Sequence, residues 1–147
     1  IELEIGHSRN KIKILDPIFE RKKLKSQMIE SKFFIYPSKA ERGETFGLSV
    51  LEAMSCGTVP IVSSLACFKD FLEFASHAYC IKPAEGKTFS QDIEKSISQA
   101  LSEDSSEIKI KSKACWHKAK QYEIAEVAKL YINDFQSLLL ETDSAVI

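Results

Sequence analysis

An α/β fold, built as a Rossmann-like parallel sheet with helices on both faces, is what this 147-residue sequence predicts. Two observations carry that expectation. Short apolar runs closed by Pro or Gly alternate with segments of helical periodicity from residue 1 to about residue 103. The runs at 33–38 and 59–64 are continuously apolar rather than alternating, as strands covered on both faces are.

The elements follow in order. "IELEI" (1–5) alternates and ends at Gly6, so it reads as a strand with a tight exit. "NKIKILDPIF" (10–19) holds a short strand cut by Pro17. "RKKLKSQMIESK" (21–32) sets Leu24 and Met28 four apart beside Ile29, a helix with one apolar face. "FFIYPS" (33–38) is a buried strand stopped by proline. In "LSVLEAMSC" (48–56) Leu48, Leu51 and Met54 recur every three residues, and Gly57 ends the helix. "VPIVSS" (59–64) is the next buried strand. "CFKDFLEFA" (67–75) reads as a short helix with Phe68, Phe71 and Leu72 on one face, and "AYCIKP" (78–83) as a strand. Ser90 is a candidate cap for a helix on which Ile93, Ile97 and Leu101 line up. A last helix is expected over 122–140, with Ile124, Val127, Ala128, Tyr131, Phe135 and Leu138 as one stripe, before a frayed tail "ETDSAVI".

Composition narrows the function classes. The chain is long enough for one domain with a real core, and its 44% hydrophobic and 28% charged residues are ordinary for a globular protein. A net charge of -1 gives no electrostatic case for nucleic acid. The run "ERKKLK" reads as a solvated helix face. Cys56, Cys67, Cys80 and Cys115 show no C-x-x-C or zinc spacing, and His7, His77 and His117 are scattered, so no metal site is expected. Each cysteine is expected to act as a small buried hydrophobe. Neither a signal peptide nor a membrane-spanning run is visible, and unpaired cysteines suit a reducing compartment, so a cytoplasmic location is expected.

One stretch departs from the generic. "GETFGLSVLEAMSCGTVPIVS" (43–63) places Glu44 and Glu52 inside an apolar segment, where an acid is costly unless it is paired. It leaves the carboxyl end of one expected strand and enters a helix, the place where such sheets bind ligands. The helix start after Gly47 offers free N–H groups and the positive dipole end, both suited to a phosphate, and Gly47 lets an anion approach the backbone. Eight helical residues span roughly 12 Å, comparable to the separation of the sugar and the ribose in a nucleotide sugar. Carboxylates at the two ends suit sugar hydroxyls, which are donors. Spacing alone leaves the alternative open: Glu44 as a first-turn acid stabilising the helix dipole, and Glu52 as a solvated helix residue.

The wording of this stretch closely resembles the E-x7-E motif of retaining GT-B glycosyltransferases, glycosyltransferase family 4 (glycosyl transferases group 1). Glu44, Phe46, Gly47, Leu48, Glu52, Ala53, Met54, Gly57 and Pro60 fall in register with it. "FFIYPS" resembles the strand and Pro-Ser that lead into that loop, and "LACFKDFLE" resembles the helix that follows. The resemblance implies that Glu44 is the catalytic-site acid, bonding the donor sugar beside the reacting carbon. It implies that Thr45, Phe46, Gly47 and Leu48 contact the sugar and diphosphate, and that Glu52 holds the ribose. The nucleobase would rest on the turn Leu15, Asp16, Pro17 and Ile18, for which plain core packing is the alternative. No D-x-D occurs in the chain, in keeping with a family that needs no divalent metal or other cofactor.

The resemblance covers the second, donor-binding domain of such enzymes. It implies that the chain is half of a GT-B fold, lacking that domain's first strand and helix with their diphosphate-binding Arg and Lys, and lacking the acceptor-binding domain as partner. Lys39 and Arg42, beside Glu44, are candidates for a phosphate contact or for solvated loop charges. The implied parent enzyme is bacterial, works on a polysaccharide or glycan, and associates peripherally with the inner face of the membrane. The isolated chain would be inactive, its last helix partly exposed as a contact surface. Two alternatives stand: a non-catalytic nucleotide-sugar-binding subunit acting in trans, and another GT-B enzyme such as a sugar-nucleotide epimerase.

Overall fold

A computed structural model describes residues 2–4, 11–39 and 43–144. Three parallel strands form the central sheet: β3 (Phe33–Tyr36), β4 (Val59–Ser63) and β5 (Tyr79–Ile81), in the order β3-β4-β5. Phe33 pairs with Val59, and Ile61 with Tyr79. Helix α2 (Leu48–Ser55) connects β3 to β4, and α3 (Phe89–Ser102), α4 (Ser105–Lys120) and α5 (Ile124–Ser144) follow β5.

β4 is the middle strand and is buried along its whole length, because its two faces feed two cores. Val62 joins Val50, Leu51 and Met54 of α2, Phe68, Phe71 and the α4 residues Cys115 and Ala119. Val59 and Ile61 join Tyr79, Ile81 and Ala100, with Ile93 and Ile97 of α3 against them. Helices therefore cover both faces, and the α/β expectation holds. β3 is an edge strand, and its second face is incompletely covered: Ile35 is 44% exposed, where the sequence predicts burial on both faces.

The amino-terminal strands stand apart. β1 (Glu2–Glu4) and β2 (Lys11–Lys13) form a separate antiparallel pair, Glu2 opposite Lys13 and Glu4 opposite Lys11. The expectation that alternation into the parallel sheet begins at residue 1 is thus corrected. A parallel crossover needs about a dozen or more residues, and the link between β1 and β2 is shorter. α1 (Arg21–Glu30) has no buried residue, and of its expected apolar face only Met28 is half-buried.

Other elements shift within their segments. The expected helix at 67–75 is a 3-10 helix, Ala66–Asp70, followed by turns, although Phe68, Phe71 and Leu72 are buried as expected. Thr88, not Ser90, caps α3: its hydroxyl accepts from Gln91 N–H, and Gln91 reaches back to Thr88 N–H. The buried strip of α3 is Asp92, Ser96 and Ala100, with Leu101 exposed. On α2, Leu48 is exposed, and Val50, Leu51, Ala53 and Met54 face the core. Among the cysteines only Cys115 is buried; it donates to His77 C=O at 2.9 Å, and burial pushes its thiol up to about 12. The expected core stripe of α5 is exposed at Ile124, Tyr131, Phe135 and Leu138, with Val127 half-buried.

Candidate functional site

The site begins where β3 ends. Tyr36 packs on the α2 face, its ring stacked on Phe34 and edge-on to Phe68. Its hydroxyl donates to Oε2 of Glu44 at 2.6 Å. That hydrogen bond first, then burial and the Glu44 charge, raises the Tyr36 phenol above its ordinary value. Cys67 is raised as well, by burial first and then by the same carboxylate. Glu44, Tyr36 and Cys67 therefore form one group at the carboxyl end of β3. Tyr36 orients one of the Glu44 oxygens, and the other takes no bond among the described residues.

The next residues turn the chain into α2. Thr45 is exposed, and Phe46 sets its ring 5.0 Å from Phe71 and 5.7 Å from Tyr122. Gly47 caps the helix at φ 84° and is buried. A Cβ there would lie 2.4 Å from the Phe68 ring, so the missing side chain makes room for Phe68. Packing and backbone conformation thus require glycine here, beside the expected approach of an anion. Val50 and Leu51 N–H both bond Gly47 C=O, while Leu48 and Ser49 N–H stay free among the described residues. The helix start thus keeps donors for an anion.

Glu52 lies on the exposed side of α2, and its carboxylate has no hydrogen bond or salt bridge among the described residues. It borders a cavity of about 270 Å³ between α1 and α2, shared with Arg21, Leu24, Lys25, Met28 and Ser55. Arg21 and Lys25 were read in sequence as solvated charges. Their four-residue spacing, on the side of α1 that carries Leu24 and Met28, is the signal that could have found them. Just before α1, Leu15 is 47% exposed, Asp16 and Pro17 are exposed and Ile18 is half-buried.

Both acids belong to the α2 side of the sheet, but the cavity beside Glu52 is not lined by Glu44. Lys39 turns away from this group and sets its ammonium 4.5 Å from the Phe89 ring centroid. Arg42 and His7 lie outside the described residues.

Residues 8–114, more than half of the chain, match the family model for glycosyl transferases group 1. The chain belongs to this family. No curated protein matches it. The matched region of this group 1 glycosyltransferase chain holds the Glu44 loop, Glu52, the 15–18 turn and α1, and it stops inside α4. Membership carries a glycosyl-transfer function and, in general terms, nucleotide-sugar binding. Among the described residues no helix is long and apolar enough to cross a membrane.

Proposed function

We propose that this chain is the donor-binding half of a retaining glycosyltransferase of family 4 and GT-B fold, which transfers a sugar from a nucleotide sugar to an acceptor. The observation that carries this reading is Glu52. It is an exposed carboxylate with no partner among the described residues, at a cavity whose other wall offers two cations. An acid so placed suits two vicinal ribose hydroxyls, both donors. The free N–H groups of Leu48 and Ser49 and the helix dipole suit the diphosphate, and the exposed turn at Leu15–Ile18 offers an apolar rest for the base. Glu44, aimed by Tyr36, takes the hydroxyls of the donor sugar next to the reacting carbon. Thr45, Phe46, Gly47 and Leu48 bring the backbone alongside.

The acceptor comes from a second domain, and without it the chain performs no transfer, because catalysis here is positioning of two substrates. The parent enzyme serves bacterial glycan synthesis at the cytoplasmic side of the membrane and needs no divalent ion.

NMR titration with uridine, guanosine and adenosine diphosphates and their sugar conjugates tests the reading. Amide shifts are expected at 15–18 and 47–56, unchanged by EDTA. Glu52→Ala is expected to weaken binding roughly ten- to a hundredfold, the loss of a charge-assisted hydrogen bond. Nucleotide binding that ignores this substitution would place the site elsewhere.

A further inference from the structure

A cavity of about 390 Å³ opens at the carboxyl ends of β4 and β5. Ser63, Ile81, Pro83, Phe89 and Asp92 line it, with Lys39 and Lys87 at its rim. Two of its polar groups are almost completely enclosed: Ser63 is 5% and Asp92 3% exposed. Among the described residues Ser63 Oγ and Asp92 Oδ1 have no hydrogen-bond partner. Buried polar atoms are nearly always paired, and leaving a carboxylate oxygen unpaired is costly. The capping box at Thr88 fixes the first turn of α3 and with it the position of Asp92, whose N–H bonds Thr88 C=O at 3.1 Å.

We propose that this cavity is a second ligand site, for a hydroxylated anion of the class of monosaccharides carrying a phosphate or a carboxylate. An enclosed carboxylate and a serine hydroxyl call for hydroxyl donors, and the two rim ammonium groups call for a negative charge. A neutral sugar leaves the lysines unused, and a bare anion is repelled by Asp92. Only a ligand with both features meets all four groups. Neither Glu44 nor Glu52 lines this cavity, whereas Asp92 and Phe89 belong to α3.

The test uses four probes with the intact chain: glucose 1-phosphate, glucuronate, glucose and inorganic phosphate, followed by amide shifts. Glucose 1-phosphate or glucuronate is expected to shift residues 63–65 and 87–92, and the stronger of the two identifies the anionic group. Asp92→Asn and the exposed Lys87→Ala are each expected to weaken that binding by about tenfold or more, with nucleotide-induced shifts around Glu52 unchanged. Absence of shifts at 63–65 and 87–92, equal binding of glucose or inorganic phosphate, or binding indifferent to both substitutions would overturn the proposal. Failure of nucleotide binding alone would bear only on the donor site.

Discussion

Gly47 joins two demands in one residue: a left-handed backbone and a space already filled by Phe68. Gly47→Ala meets both at once, and a loss of about 2–4 kcal/mol is expected from overpacking and the positive φ. Urea unfolding measures it as a lower midpoint at constant slope, and a change under ~0.5 kcal/mol would contradict the contact. Glu52→Ala is expected to be nearly neutral for stability, within ~0.5 kcal/mol, because the side chain is exposed and unpartnered. His77 supplies a pH signal. Its Nδ1 accepts Glu73 N–H at 3.1 Å, and burial holds its pKa below the ordinary 6.5, with Lys118 adding to the shift and Glu73 opposing it. The unfolded chain therefore takes up a proton that the folded chain refuses as pH falls below 6.5. Stability is fully present above 6.5 and declines until the lowered folded pKa is reached. Unfolding midpoints measured across that window should fall for the native chain and stay flatter for His77→Gln.

At the scale of elements, α3 shows how a cap decides placement. The box formed by Thr88 and Gln91 starts the helix before Ser90 and turns Asp92, Ser96 and Ala100 inward. Thr88→Ala is expected to cost about 1 kcal/mol, and Ser90→Ala to stay within ~0.5 kcal/mol, by the same unfolding measurement. The reverse ranking would restore Ser90 as the cap. The polar strip was not legible from periodicity, because Ile93 and Ile97 also satisfy a helical repeat, and only β5 packing selects the face. Ser96 shows the selection: its hydroxyl donates to Cys80 C=O of β5 at 3.2 Å. α2 was readable because Gly57 closes it, with N–H to Met54 C=O at 2.9 Å, and because Val50, Leu51, Ala53 and Met54 are apolar.

Across the whole molecule, stability is graded outward from β4. Both faces of that strand are packed, whereas α1 buries no residue and most of α5 is exposed. Native-state hydrogen exchange is expected to protect Val59–Ser63 most, and α1 and α5 least. Slow exchange throughout α5 would instead show that its apolar side chains are covered in solution. The same gradient sets Glu52 and the 15–18 turn in the less protected part: Glu52 faces α1, and the turn runs over the surface.

By itself the sequence determined the α/β class, the apolar strands within 33–38, 59–64 and 78–83, the helix expected at 48–56 and the Glu44–Glu52 motif. These rest on local signals, namely apolar runs, helix-ending glycine and residue spacing, which survive without knowledge of neighbours. Tertiary structure alone decided that β1 and β2 pair with each other, that Tyr36 holds Glu44, that Arg21 and Lys25 share a cavity with Glu52, and that Ser63 and Asp92 meet at one. The reason is physical: each joins residues distant along the chain or depends on which face of an element is buried, and hydrophobic spacing constrains neither until the elements pack.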